Sequence, residues 1–133
     1  MTTNRSWCHI AAAMLLATLP AMAHHSFSAE YDSNKEITLK GTVTSMRWAN
    51  PHAWIYIDVE TNGKIVHWSL ETGAANTLFR RGWRKEDIST GTQLTVEAWL
   101  ARNGTNTANA KSITFADGKR LLAGTSNPAV KER

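Results

Sequence analysis

Apolar and polar residues alternate along three segments of the chain, and short turn dipeptides separate them. The alternating segments are 53–60, 64–71 and 92–101. Successive side chains of a β-strand point to opposite faces, so this alternation predicts strands with one buried face and one exposed face. Asn62-Gly63 stands between the first two segments and predicts a tight hairpin, because both residues tolerate positive φ.

An earlier segment, 36–48, predicts a longer strand that contains an irregularity. Its apolar positions follow one phase as far as Val43 and then switch to Met46 and Trp48. A switch of phase close to a glycine is typical of a β-bulge or a sharp coil, and we expect one between Gly41 and Ser45.

The period changes again at 74–81, where β-branched residues are few and Gly82 follows at the position typical of a helix C-cap. This pattern predicts one short helix. The segments 109–115 and 119–123 predict the last strands. The order of elements predicts a mainly β fold, a small OB-like barrel of five to six strands with one short helix between strands 3 and 4. The alternative is a small β-sandwich with an incidental helix.

Residues 1–23 have the features of a signal peptide. An apolar stretch at 10–19 is followed by Ala21-Met22-Ala23, the small-x-small pattern that signal peptidase accepts. A stretch of that length is too short to cross a bilayer, which takes about 20 residues, so we expect cleavage rather than an uncleaved anchor. The predicted organisation is a signal peptide at 1–23, an N-terminal arm at 24–35, the barrel domain at 36–123 and a flexible tail at 124–133.

Composition narrows the possible functions. Cys8 is the chain's one cysteine and would leave with the signal peptide, so the mature protein is expected to have neither disulfides nor thiolate chemistry. The chain has 15 Lys+Arg and 11 Asp+Glu, a net charge of +4, and loss of Arg5 would leave +3. That excess is too small for a nucleic-acid surface, so we expect no nucleic-acid partner. No other apolar run is long enough to span a membrane after processing.

Several short motifs resemble a known family. They include His24-His25-Ser26-Phe27 at the expected mature start and Trp48-x-Asn50-Pro51-His52-Ala53-Trp54 further on. Together they resemble an uncharacterised family of exported proteobacterial proteins, over nearly the whole mature chain. The resemblance implies a periplasmic address and a compact β domain. It implies no catalytic residue and no ligand.

Histidines are the best candidates for metal chemistry. Cleavage after Ala23 would make His24 the first residue, whose α-amine and ring Nδ1 can chelate one metal ion. His25 could support it, and His52 or His67 could supply a further imidazole. Such nitrogen ligands suit Cu(II), so copper is the possible cofactor. The alternative is that these histidines only form ordinary hydrogen bonds.

Aromatic residues are candidates for a binding surface. Trp54 and Tyr56 share one face of the second predicted strand, and Trp99 lies on the polar face of the fourth. In an OB-type barrel such rings could stack on a ligand. The alternative is that an N-terminal arm, through Phe27 and Tyr31, covers them.

A basic cluster surrounds Gly82-Trp83. It consists of Arg80, Arg81, Arg84 and Lys85. It could dock an anionic lipid headgroup or an acidic partner, or it could only favour the helix macrodipole. Glu86 and Asp87 follow directly and partly cancel its field, which favours the second interpretation.

The sequence shows no paired catalytic groups. The candidate acids are scattered along the chain: Glu30, Asp32, Asp58, Glu71 and Glu97. General acid–base catalysis needs a placed pair, and neither a nucleophile elbow nor a phosphate-binding glycine loop is present. We therefore predict a periplasmic, non-enzymatic binding or accessory protein that takes a protein or glycan partner through its aromatic face. The alternative is a copper-binding protein.

Overall fold

The computed structural model describes residues 27–125, and this part of the chain is mainly β. In chain order the elements are α1 (Phe27–Glu30), β1 (Tyr31–Arg47), β2 (Trp54–Thr61), β3 (Lys64–Glu71), α2 (Ala75–Arg80), a 3-10 helix (Lys85–Asp87), β4 (Gln93–Ala101), β5 (Thr107–Phe115) and β6 (Arg120–Leu122). The predicted signal peptide and most of the predicted tail lie outside the described residues.

All six strands belong to one sheet, in the order β3-β2-β1-β4-β5-β6. Neighbours in this order are antiparallel. The end of β3 also pairs with the start of β5, in parallel, through residues 69–71 and 107–109. The sequence predicts a mainly β fold with up to six strands and a short helix between the third and fourth of them, and this much is confirmed.

The predicted bulge is present in β1. The register against β2 shifts between Val43 and Ser45, which leaves Thr44 as the extra residue. The side chains of β1 therefore change faces at this point, as the switch of apolar phase predicts. Gly41 lies just before the bulge, and a Cβ atom there would be 2.6 Å from the backbone oxygen of Asp58.

The first strand begins earlier than predicted, at Tyr31 instead of residue 36. Tyr31 pairs with Ala101 of β4 and is only 4% exposed. The residues at 32–35 are all polar, and their pattern therefore resembles that of a solvated arm. Tyr31 and Glu36, on either side of this stretch, both pair with β4, and the register shifts between them. Because β4 is far along the chain, no local pattern indicates these pairings.

The inner face of the sheet forms the apolar core. Ile55, Ile57 and Leu70 are at most 1% exposed, as the alternation predicts. Leu78 of α2 and Trp83, which follows it, are fully buried in the same core. The opposite face is called the outer face below.

The turn and helix predictions are confirmed as well. Asn62 and Gly63 both have positive φ, 53° and 73°, as a tight hairpin turn requires. The helix α2 covers 75–80, one residue less at each end than the predicted segment. Within residues 27–125, no helix has the length and apolarity needed to cross a membrane.

Candidate functional site

The N-terminal segment, residues 27–31, folds onto the outer face of the sheet. The ring of Phe27 lies 5.1 Å from the ring of Trp99 and meets it edge-on, at 79°. The backbone N–H of Arg102 donates to the carbonyl of Glu30 at 2.9 Å. Aromatic packing and this hydrogen bond hold the segment against the end of β4.

A buried carboxylate, that of Glu71, lies on the same outer face and is part of a polar cluster. Glu71 is 5% exposed. The hydroxyl of Tyr31 donates a hydrogen bond to one carboxylate oxygen, and the ring Nδ1 of His52 contacts the other. Burial, together with the adjacent Glu71, raises the pKa of Tyr31 far above its ordinary value, so the hydroxyl keeps its proton and remains a donor. Burying a carboxylate is costly unless it is hydrogen-bonded, and both of its oxygens have partners here.

An open cleft of about 510 Å³ adjoins this cluster. Its walls come from the N-terminal segment, β2, the end of β4 and the start of β5: Ala29, Glu30, Tyr31, Trp54, Ala101, Arg102, Asn103 and Thr107. The Arg102 side chain is fixed, because its Nε donates to the Ser28 carbonyl at 2.9 Å and its guanidinium lies 3.5 Å from the Asp32 carboxylate. The cleft thus combines a tryptophan ring with polar groups held in place by neighbouring residues.

The three predicted aromatic residues occupy different environments. Trp99 is 6% exposed, because Phe27 packs against it and the Nζ of Lys111 lies 4.9 Å from the ring centroid. Trp99 therefore follows the alternative interpretation, that of a ring covered by the N-terminal arm. Trp54 and Tyr56 are half-buried on the outer face of β2. Trp54 lines the cleft and Tyr56 does not.

The predicted metal ligands are not brought together within the described residues. His24 and His25 lie outside them. The His67 side chain is 82% exposed, and its Nδ1 lies 2.5 Å from the Asp58 carboxylate. His67 and the His52 partner Glu71 are four positions apart on β3, about 13 Å along the strand. Residues 27–125 contain no group of three His, Cys, Asp or Glu side chains that could hold a metal ion.

Glu71 is predicted only as one of the scattered acids, and its place in this cluster is not predicted. One signal for it does exist. Glu71 continues the outward phase of Ile65, His67 and Ser69 at the end of an alternating strand, so its position on the outer face could be predicted. Its burial depends on Tyr31 and the rest of the N-terminal segment, whose position no local pattern indicates.

The fold and the site define a small β-sheet protein whose N-terminal segment covers part of the sheet's outer face. Residues 11–110 match a family of unknown function, DUF6152, and the chain belongs to that family. No curated protein and no solved structure matches the chain.

Proposed function

We propose that the sheet closes into an OB-like barrel. Support comes from the strand pairings, which run from β1 through β2, β3, β5 and β4 back to β1. Directly paired residues can be followed around this circuit through Arg47, Trp54, Glu71, Asn109, Trp99 and Glu36. The circuit starts at residue 47 of β1 and returns at residue 36 of the same strand, and such a stagger is what tilted strands in a closed barrel require. Five strands, with a helix between the third and fourth, fit an OB-like barrel better than a sandwich.

We further propose that the protein is a periplasmic, non-enzymatic binding module whose cleft takes a glycan. The observation that carries this proposal is the size of the cleft beside Trp54, about 510 Å³. Pockets for small ligands measure about 300–1,000 Å³, whereas a stable protein interface takes about 800 Å² of surface from each partner. The cleft therefore suits a few sugar rings better than a protein surface.

The chemistry of the cleft supports a sugar-like ligand. Trp54 offers a flat apolar ring, on which the apolar face of a sugar can stack. Asn103, Thr107 and Arg102 add amide, hydroxyl and guanidinium groups around it. Arg102 is held by its neighbours, so little side-chain freedom would be lost on binding. Among the described residues that line the cleft, Glu30 is the single carboxylate.

The test is titration calorimetry with a panel of soluble bacterial cell-wall and exopolysaccharide fragments. At least one glycan should bind, and Trp54→Ala should weaken its binding about tenfold, because losing about 55 Å² of apolar contact at about 25 cal/mol per Å² costs about 1.4 kcal/mol. Tyr56→Ala is the matched control, since Tyr56 lies on the same face of β2 but outside the cleft. An equal loss in both variants would place the ligand on the wider aromatic face. Absence of binding by the whole panel would contradict the glycan proposal and favour a protein partner.

A second candidate function, copper binding, has one specific observation in its favour. Metal-bound histidines usually donate their other ring N–H to a carboxylate, which fixes the tautomer and orients the ring. His52 has this arrangement, because its Nδ1 faces Glu71 and its side chain is 43% exposed, which leaves Nε2 as the nitrogen for a metal. His24 precedes Phe27 by three residues, a stretch that spans at most about 11 Å. A series of contacts links Phe27 to His52. The Phe27 ring packs against Tyr31, the Tyr31 hydroxyl is hydrogen-bonded to Glu71, and Glu71 contacts His52.

Cu(II) titration of the processed protein tests this candidate. His52→Ala and one additional N-terminal Ala before His24 should each weaken binding at least tenfold, because each removes nitrogen ligands. His67→Ala should leave the affinity unchanged, since His67 lies elsewhere on β3 and is paired with Asp58 of β2. Equal affinity with and without the additional Ala would eliminate the N-terminal chelate.

A further inference from the structure

Residues 27–125 expose three large apolar side chains by more than half: Ile65, Phe79 and Leu122, at 56%, 56% and 54%. Two of them belong to segments that meet at one corner. The indole N–H of Trp83, just after α2, donates to the carbonyl of Leu122 in β6 at 3.0 Å. The backbone N–H of Trp83 donates to Leu78, the neighbour of Phe79. Ile65 lies on β3.

Cations surround this corner, and one of them contacts an exposed ring. The guanidinium of Arg84 lies 4.4 Å from the centroid of the Phe79 ring and also donates to the Phe79 carbonyl. Arg80 and Lys85 are exposed beside it. Lys119 comes from the turn before β6 and lies 3.7 Å from the Asp87 carboxylate.

The structure shows how one acid of this cluster is engaged. The carboxylate of Asp87 accepts the backbone N–H of Arg84 at 2.8 Å and pairs with Lys119. With Asp87 engaged in this way, the exposed cations within residues 79–87 are Arg80, Arg84 and Lys85, and the one exposed carboxylate there is that of Glu86. These exposed side chains carry two more positive than negative charges, so Glu86 cancels only part of their field.

We propose that this corner, called the Phe79 corner, docks on an anionic lipid membrane. Exposed apolar side chains set among Arg and Lys are typical of surfaces that lie in a lipid interface. In this arrangement Phe79 enters the boundary between headgroups and acyl chains, and the arginines contact lipid phosphates. Charge complementarity favours an anionic surface, and the exposed Phe79 ring with a cation on it suits the boundary between headgroups and acyl chains. None of these residues lines the cleft, so the proposal stands independently of glycan binding.

Vesicle co-sedimentation of the protein in the form isolated from cells tests the proposal. Vesicles with phosphatidylglycerol in phosphatidylcholine should bind the protein, and vesicles of phosphatidylcholine alone should bind it far more weakly. Each basic residue near an anionic surface contributes about 1 kcal/mol, or about fivefold in affinity. The double variant Arg80→Gln/Arg84→Gln should therefore bind about 25-fold more weakly, and added salt should weaken binding of the wild type.

Phe79→Ser should weaken binding about tenfold, because an inserted ring loses its apolar contact with the lipid. Ile65→Ser is the matched control, since Ile65 is equally exposed but lies on β3. Thermal unfolding of each variant separates loss of binding from loss of fold. Equal binding to both kinds of vesicle, unchanged binding by the double variant, or an equal loss with Ile65→Ser would each overturn the proposal.

Discussion

The two faces of the sheet are both buried in places, but by different means. On the inner face, aliphatic side chains such as Ile55, Ile57 and Leu70 pack against one another. On the outer face, the N-terminal segment covers Trp99, Asn109 and Glu71, and its own Tyr31 is buried with them and hydrogen-bonded to Glu71.

The comparison shows that an apolar core and a buried polar cluster have different structural requirements. An apolar core needs only the right volume of aliphatic side chains, and it tolerates exchange among them. A buried carboxylate costs free energy unless each partner is in place, so such clusters mark candidate sites more often than they mark plain packing. The outer-face cluster adjoins the cleft, with Tyr31 belonging to both.

Ile55→Ala should have the largest effect on stability, because it opens a cavity in the inner face, where Ile55 is fully buried. We expect a loss of about 2–5 kcal/mol in the free energy of unfolding, measured with urea. Ile65→Ala, at an exposed position, should change it by less than about 0.5 kcal/mol. Similar losses at the two positions would mean that the inner face is not the core.

Gly41→Ala tests the place where β1 changes faces. An added Cβ would lie 2.6 Å from the Asp58 backbone oxygen, so one strand must shift. We expect a loss of about 1–3 kcal/mol, as in other overpacked positions. Thr44→Ala, at the exposed bulge residue, is the control and should cost less. An unchanged urea midpoint for Gly41→Ala would show that β1 and β2 are further apart at Gly41 than described.

Tyr31→Phe tests the outer-face cluster of Tyr31, Glu71 and His52. The substitution removes the hydroxyl that donates a hydrogen bond to one carboxylate oxygen of the buried Glu71. The expected loss is about 1–3 kcal/mol. Tyr56→Phe is the control, since the Tyr56 hydroxyl has no hydrogen bond to another described residue, and it should be close to neutral. If both variants are neutral, the Glu71 carboxylate is not buried as described.

The smallest expected effect is a dependence of stability on acidic pH, and it comes from Glu97 at the rim of the outer face. Hydrogen bonds from Ser112 and then Arg120 lower the pKa of Glu97 below its ordinary value of 4.5. A lowered pKa in the folded state stabilises the fold above pH 4.5, and this contribution is lost as the pH falls through the folded-state value.

Glu97→Gln should therefore reduce the fall in thermal midpoint on the acid side of that pH. The corresponding difference in the free energy of unfolding should be below about 1 kcal/mol, since the Glu97–Arg120 pair is exposed to solvent. Glu60→Gln, an exposed change on β2, is the control. If the thermal midpoint of Glu97→Gln fell more steeply with acid than that of the wild type, the lowered pKa of Glu97 would be contradicted.

Sequence patterns predict the inner face well, because alternation, the Asn62-Gly63 turn and the change of phase near Gly41 are local signals. They predict the outer face only in part. Alternation places Trp54, Tyr56 and Trp99 on that face, but it does not indicate what covers them. Phe27 covers Trp99 across a large sequence separation, and the Tyr31–Glu71 hydrogen bond joins residues 40 positions apart. Such contacts depend on strand pairing across the whole sheet.

The central claim is that the N-terminal segment covers one part of the outer face and leaves the cleft beside Trp54 open. Residue-resolved oxidative labelling of the native protein tests it directly, because labelling rates follow the exposure of each tryptophan. We expect Trp54 to be labelled many times faster than Trp99, and Phe27→Ala to raise the labelling rate of Trp99 alone. If Trp99 in the wild type is labelled as fast as Trp54, the N-terminal segment does not lie where this account places it.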